Sequence, residues 1–144
     1  MRKIQKALSW LLTLTMLLSL TAGLTVGVFA EDATEPTAKT DSGVCGPNVL
    51  YQYRDENPDD MVASGVLTIM GTGPMTDYIK TSAMEVNTPW FRSDYRYEIQ
   101  KVVINPGVTT IGSFAFFNQI RCTEVDITEG VLSIGEWSFA YAAI

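Results

Sequence analysis

The stretch VVINPGVTTIGSFAFF, at Val102–Phe117, returns in altered form as VDITEGVLSIGEWSFA, at Val125–Ala140. The two copies align without a gap, and the positions that they share are nearly all apolar or glycine. These positions are Val102 and Val125, Ile104 and Ile127, Gly107 and Gly130, Val108 and Val131, Ile111 and Ile134, Gly112 and Gly135, and Phe116 and Phe139. Shared apolar positions between variable polar ones indicate a repeated core whose surface is free to differ.

The repeat period, which runs from Val102 to Val125, falls in the range of roughly 20–29 residues that is typical of leucine-rich-repeat-like folds. A unit of this size cannot bury its own apolar face, so it must stack on the next unit. We therefore predict a mostly β, leucine-rich-repeat-like solenoid of short stacked strands with short helical turns.

Each unit has a predictable course. We expect Val102–Ile104 to form a strand that points residues 102 and 104 inward and 103 outward, because side chains alternate along a strand. Val108–Ile111 is predicted to be a second extended stretch with both ends inward. Gly112 is interpreted as a tight corner at a backbone angle that a β-carbon would resist. Ser113 would then cap a short helical turn that brings Phe116 into the core.

The first 30 residues have the pattern of a secretory signal peptide. A basic start, MRKIQK, precedes a mostly apolar run and the small-residue ending Val28-Phe29-Ala30, after which we expect cleavage. The alternative is an uncleaved membrane anchor, since Leu8–Ala30 is long enough to span a bilayer. Residues 31–43 have no large apolar side chain before the first cysteine, and we predict a flexible linker there.

Residues 44–97 are predicted to form a leading, capping block with two strands, Val49–Tyr53 and Val66–Met70, that can pair as a hairpin. Thr81–Arg96 is predicted to be irregular or briefly helical, with Trp90 and Phe91 turned inward. Two repeats follow, at about residues 98–120 and 121–144.

The charge and composition exclude several classes of function. The net charge is −6, and loss of the three cations of the signal peptide (Arg2, Lys3 and Lys6) makes the chain still more acidic, so it is a poor candidate for binding nucleic acid or anionic lipid. The sequence has no histidine, which excludes Ser-His-Asp and Cys-His catalysis. We predict no enzyme, no cofactor and no metal.

Three features offer weaker alternatives to that prediction. The series Asp55, Asn57 and Asp59 is similar to the start of a calcium loop, but Asp60 and Val66 stand where such a loop has Gly and Glu. Paired acids could act in glycoside hydrolysis; the pairs are Asp94 with Glu98 and Glu124 with Asp126. Aromatic side chains could form a sugar-binding platform, although core packing is the preferred interpretation; they are Trp90, Phe91, Tyr95 and Tyr97.

The repeats resemble the BspA-type leucine-rich repeat of bacterial surface proteins, with an apolar strand, a turn, Val-x-x-Ile-Gly and an Ala-Phe-like pair. The leading block looks like the segment that often precedes such repeats, at Cys45-Gly46, Gly65–Met75 and Pro89-Trp90. Gln119 and Cys122 depart from the family, which often has Cys and Leu there, so Cys122 is expected to fill an apolar core position. We interpret Cys45 and Cys122 as buried free thiols, with a disulfide as the alternative that secretion would permit.

The resemblance implies a secreted or cell-surface protein that binds a protein or cell-surface ligand, acts in adhesion and continues into further repeats. Binding would use the outward side chains of the strands, which we predict to be Lys101, Val103, Asn105, Glu124, Asp126 and Thr128. The alternative is an N-terminal accessory module of a larger secreted carbohydrate- or cell-wall-active enzyme. A truncated reading frame without a stable product is a third possibility.

Overall fold

The computed structural model describes residues 38–59 and 61–144, and the predicted signal peptide lies outside them. The described chain is mostly β, as predicted, with one short helix. Its elements are β1 (Lys39–Gly46), β2 (Val49–Asp55), β3 (Gly65–Gly71), β4 (Gly73–Pro74), α1 (Pro89–Arg92), β5 (Ile99–Ile104), β6 (Val108–Ile111), β7 (Glu124–Ile127) and β8 (Ser133–Ile134).

The strands form two sheets. The larger has five strands in the order β1-β2-β3-β5-β7, and the smaller has three in the order β4-β6-β8. The pairs β1/β2 and β2/β3 are antiparallel, which confirms the predicted hairpin. The pairs β3/β5, β5/β7, β4/β6 and β6/β8 are parallel. Each repeat therefore contributes one strand to each sheet, and the leading block does the same through β3 and β4.

The register of the larger sheet agrees with the predicted stacking. Leu67 pairs with Val102, and Val102 pairs with Val125. Ile69 pairs with Ile104 in the same way. Leu67, Ile69, Val102 and Ile104 are fully buried because they share the inward face of the pleat.

Aromatic side chains fill the core where the leading block meets the repeats. Trp90 is fully buried, and its indole Nε1 donates a hydrogen bond of 2.8 Å to the carbonyl oxygen of Ala115. Phe116 stacks on Trp90 with ring centroids 5.6 Å apart and on Phe139 with centroids 5.1 Å apart. The stack therefore joins the leading block to both repeats. Burying one such aromatic side chain stabilises a fold by roughly 1.5–3 kcal/mol.

Helix α1 follows from its local sequence. Thr88 is the N-cap, and its hydroxyl accepts a hydrogen bond of 3.2 Å from the backbone N–H of Phe91. Pro89 begins the helix, where its missing N–H costs nothing. Trp90 and Phe91 are buried, as predicted for this segment.

Strand β1 corrects the predicted linker. Residues 39–43, which the sequence placed in a flexible segment, form most of a strand that pairs with β2 along its length. The prediction failed because it counted only apolar residues, whereas β1 is held by backbone pairing and polar contacts. Lys39 bonds Glu98, and the Asp41 carboxylate accepts hydrogen bonds from the hydroxyls of Tyr51 and Tyr95.

The corner of the repeat also differs from the prediction. Residues 113–118 form hydrogen-bonded turns and no helix, so Ser113 has no helix to cap. Gly112 does not have a positive φ; a β-carbon there would lie 1.9 Å from the carbonyl oxygen of Thr76. Glycine is needed for this close approach of two backbone segments. The positive φ belongs to Phe114, at 57°, and to its equivalent Trp137, at 58°.

Candidate binding face

The outward side of the larger sheet is the candidate functional site, and we call it the outward face. Its middle row runs straight across all five strands, since each member pairs with the next: Ser42, Gln52, Thr68, Val103 and Asp126. Val103 and Asp126 are two of the predicted outward residues, and Gln52 and Thr68 lie on strands that were predicted. Ser42 was not expected in this row, because β1 was not predicted.

The repeat end of this face is charged. The ammonium nitrogen of Lys101 lies 2.5 Å from a carboxylate oxygen of Glu124 and 2.6 Å from one of Asp126. Hydrogen bonds to two carboxylates raise the pKa of Lys101, and the bond to Asp126 has a larger effect than the bond to Glu124. One cation shared by two carboxylates leaves this end of the face net negative. The predicted neighbour pair of Lys101 and Glu124 is therefore part of a three-residue group.

Asn105 and Thr128 lie at the ends of β5 and β7 and are partly buried. The backbone N–H of Asn105 donates to the carbonyl oxygen of Ile69 over 2.9 Å. The hydroxyl of Thr128 donates to the carbonyl oxygen of Ile104 over 2.7 Å, so this side chain also holds the repeats together. The predicted site residues thus lie on or at the ends of two adjacent strands, but Thr128 has a structural role as well.

The leading-block end of the face is apolar, and sequence reasoning missed it. Val44 pairs with Leu50, which pairs with Met70. Val44 is 67% exposed and Leu50 48% exposed, and all three line an open groove of about 310 Å³. Leu50 faces outward because its neighbours Val49 and Tyr51 point into the core. The sequence predicts that side chains alternate along β2, but it does not show which of the two sets faces solvent.

The paired acids are not arranged for glycoside hydrolysis. Asp94 and Glu98 both bind the ammonium group of Lys39, over 3.4 Å and 3.2 Å. Burial disfavours protonation of Lys39, but hydrogen bonds and charges from Glu98 and Asp94 outweigh it and raise its pKa. Glu124 and Asp126 share Lys101 in the same way. Both pairs are charge partners of a lysine in a sheet, and of the four acids only Asp94 lines a groove, so neither pair faces across one.

The acidic series after β2 is likewise used within the fold. The carboxylate of Asp55 is buried and accepts hydrogen bonds from the Ser64 hydroxyl at 2.7 Å, the Asn57 backbone N–H at 3.0 Å and the Tyr53 hydroxyl at 3.2 Å. Its oxygens therefore already have partners. Among the described residues, no three His, Cys, Asp or Glu side chains are grouped so as to hold a metal ion.

The alternative of a sugar platform does not fit the observed burial of these aromatic side chains. Trp90, Phe91 and Tyr95 are buried, which agrees with the core interpretation. Tyr97 is exposed, but the guanidinium of Arg96 lies 4.2 Å from its ring centroid. Without a row of free ring faces, these four side chains cannot stack on a glycan.

Cys45 and Cys122 are both free and buried. Burial raises the pKa of the Cys45 thiol to about 12 and also raises that of Cys122. Cys122 is fully buried in the main core, at the apolar position expected for it. Both thiols are thus protonated and shielded at neutral pH, which makes them poor nucleophiles.

The comparisons with known proteins address the fold. No family model matches the sequence, and no curated protein matches it. Among solved structures, the chain is similar to a leucine-rich repeat protein from Eubacterium ventriosum ATCC 27560, with a TM-score of 0.56 and 30% identity over 72% of this chain. The fold is leucine-rich-repeat-like. The chain spans 24% of the length of that protein. Within the part that the structure describes, no helix is both long and apolar enough to cross a membrane.

Proposed function

We propose that this protein is a secreted or cell-surface, non-enzymatic repeat module of the BspA type that binds protein and acts in adhesion. The observation that carries the proposal is the outward face, which runs across five strands and combines an apolar groove at one end with a charged group at the other. Protein interfaces have this composition, with apolar anchors beside polar groups that set orientation.

The binding mechanism follows from the two ends of the face. An apolar side chain of the partner would enter the groove beside Val44, Leu50 and Met70 and lose contact with water. The group of Lys101, Glu124 and Asp126 would favour a partner with complementary basic residues and disfavour acidic ones. Because the strands are fixed by the core beneath them, little conformational entropy is lost on binding.

We also propose that the stacked units form a solenoid that extends at β7 and β8. Ile104 and Ile111 of the first repeat are fully buried, whereas the equivalent Ile127 and Ile134 of the second are 43% and 53% exposed. The second repeat covers the first, so a further unit of the same kind would cover the second. The 24% coverage of the structural neighbour is in keeping with a longer array.

The test of the binding face uses the pair Val103→Asp and Asp126→Lys in one chain. Binding to a panel of purified extracellular-matrix proteins would be measured by surface plasmon resonance. We expect affinity for any bound protein to fall at least tenfold, while the unfolding midpoint stays near that of the wild type. Glu129→Lys is the control for the second substitution, because it makes the same charge change as Asp126→Lys in the turn after β7 and should leave affinity unchanged. Equal affinity of the double variant and the control would contradict the assignment of this face.

A separate measurement tests the location. Intact mass and N-terminal sequence of the protein from medium and cell surface should show a start at Glu31. Recovery only from the cytosol, with Met1 or Arg2 at the start, would contradict secretion.

A further inference from the structure

A second groove lies on the leading block and shares no residue with the outward face. It is open, has a volume of about 400 Å³ and is formed entirely by the segment between β4 and β5. Its apolar floor includes Val86 and Phe91, which belong to a small core cluster with Phe117. Two arginines, Arg92 and Arg96, line it.

Most of the basic side chains that form no ion pair with a described residue lie in this region, and Arg121 is the exception. Lys39, Arg54 and Lys101 each form an ion pair within the described residues. Arg92 and Arg96 form none there, although the chain carries more acidic than basic side chains. Lys80 also has no ion pair to a described residue and lies over the ring of Phe117, at 5.3 Å. Unpaired positive charge is thus concentrated around one small cluster of an acidic protein.

Arg96 is held in place before any ligand binds. Its guanidinium carbon lies 4.9 Å from the ring centroid of Phe91 and 4.2 Å from that of Tyr97. It also donates a hydrogen bond to the Tyr97 hydroxyl. Stacking on a ring uses the flat faces of a guanidinium and leaves N–H groups at its edge free to bind a carboxylate. A guanidinium that is already ordered loses less entropy on binding.

We propose that this groove binds an acidic peptide segment, with its side-chain carboxylates on Arg92 and Arg96 and its apolar side chains against the apolar floor at Val86. Two observations favour a peptide. The rings of Phe91 and Tyr97 are covered by Arg96, so a sugar ring has little aromatic surface on which to stack. Glu85 and Asp94 also line the groove, which disfavours a dense polyanion but tolerates carboxylates spaced along a peptide.

The experiment measures fluorescence anisotropy of a labelled peptide of alternating glutamate and leucine on titration with the full chain. The same peptide with glutamine in place of glutamate is the ligand control, because it keeps size and hydrogen bonding but not charge. We expect the glutamate peptide to bind at least tenfold more tightly than the glutamine peptide. Its affinity should fall as salt rises from 50 to 500 mM, since exposed charges are screened over about 8 Å at physiological ionic strength.

Protein variants then locate the site. Arg92→Gln with Arg96→Gln should weaken the glutamate peptide at least tenfold. Arg121→Gln, which removes another exposed arginine without an ion pair among the described residues, should change the affinity less than twofold. The single variant Arg92→Gln is also included, because the Arg92 side chain makes no hydrogen bond or ion pair to a described residue. This variant should therefore fold like the wild type. It should bind the glutamate peptide several-fold more weakly than the wild type does.

Three outcomes would overturn the proposal. The first is an absence of binding of the glutamate peptide at millimolar protein. The second is equal loss of affinity in the Arg121 and Arg92 variants, which would indicate nonspecific attraction. The third is displacement of the peptide by a trimer of galacturonate at lower concentration than by unlabelled peptide, which would assign the groove to an acidic glycan.

Discussion

Two buried polar side chains, Ser138 and Gln119, differ in whether they have hydrogen-bond partners. The hydroxyl of Ser138 lies 2.8 Å from the carbonyl oxygen of Gly112 and 2.7 Å from that of Gly135. The amide of Gln119 is buried, and neither its nitrogen nor its oxygen has a partner in the described structure. A buried amide without hydrogen bonds destabilises the folded state.

Replacing Gln119 with methionine is therefore expected to raise the free energy of unfolding by about 1–3 kcal/mol. Methionine keeps the length and flexibility of the side chain and needs no partner. Ser138→Ala is the matched control and should lower the free energy of unfolding by about 1 kcal/mol, because it removes a satisfied group. Urea unfolding followed by tryptophan fluorescence measures both, and a less stable Gln119→Met protein would show that this amide does have a partner.

Buried tyrosines predict how stability depends on alkaline pH. Burial is the largest cause of the raised pKa of Tyr53, Tyr78 and Tyr95. A pKa that is higher in the folded state means that the folded protein keeps a proton that the unfolded chain loses. The stabilisation is complete below the unfolded pKa of about 10 and is lost as pH rises above it.

We expect Tyr78→Phe to flatten this alkaline loss of stability. The Tyr78 hydroxyl is buried and has no hydrogen-bond partner among the described residues, so at pH 7 the variant should be as stable as the wild type or more stable. Urea unfolding at pH 8, 10 and 11 would measure the change. The same slope in both proteins between pH 10 and 11 would show that Tyr78 does not contribute.

At the scale of the element, β1 is an edge strand held by its pairing with β2 and by polar contacts more than by buried apolar side chains. One side pairs with β2 and the other has no partner strand in the described sheet. Its polar anchors are the ion pairs of Lys39 and the hydrogen bonds that Asp41 accepts from Tyr51 and Tyr95. Elements with few buried apolar contacts open locally more readily than the core. β1 also completes the apolar groove through Val44.

Asp41→Ala is expected to release β1 without unfolding the rest of the protein. Amide hydrogen exchange within Lys39–Gly46 should become at least tenfold faster, while exchange in β5 stays unchanged, because the two strands belong to regions of different local stability. Asp59→Ala, in the exposed loop after β2, should leave both rates as they are. Equal acceleration in β1 and β5 would mean that Asp41 supports the whole fold.

At the scale of the whole molecule, the two edges of the larger sheet differ. β1 carries mainly polar side chains, whereas the second repeat exposes large apolar ones. Ile127 is exposed on β7 at the edge of the larger sheet and Ile134 on β8 at the edge of the smaller sheet, and Leu132 and Trp137 are exposed beside β8. An unpaired strand edge with apolar side chains favours pairing with another chain.

The 144-residue chain is therefore expected to self-associate as its concentration rises. Ile134→Lys with Trp137→Lys should shift the protein towards monomer, because charged side chains at an edge oppose association. Tyr97→Lys replaces one exposed apolar side chain by lysine away from this edge and should not. Sedimentation velocity from 5 to 200 μM measures the distribution, and a wild-type protein that stays monomeric throughout would contradict the prediction.

The sequence by itself determined the repeated unit and its register. The apolar positions that the two copies share align without a gap, and the pairing of Val102 with Val125 followed from them. Strand alternation then predicted which side chains of β5 point outward, because the period of two leaves no other choice once the core residues are known. Half of the outward face was therefore accessible from the sequence, at Lys101, Val103, Glu124 and Asp126.

Only the tertiary structure decided the rest. Lys39–Gly46 has no apolar pattern, and it is ordered by its pairing with β2 and by Tyr95 and Glu98, which lie far away in the sequence. Gly112 is needed because the backbone of Thr76 approaches it, a contact that no local pattern encodes. Arg92 and Arg96 carry unpaired charge in their groove because the fold decides which basic side chains form ion pairs with carboxylates. Local side-chain chemistry can be read from a sequence, but long-range proximity exists only once the chain has folded.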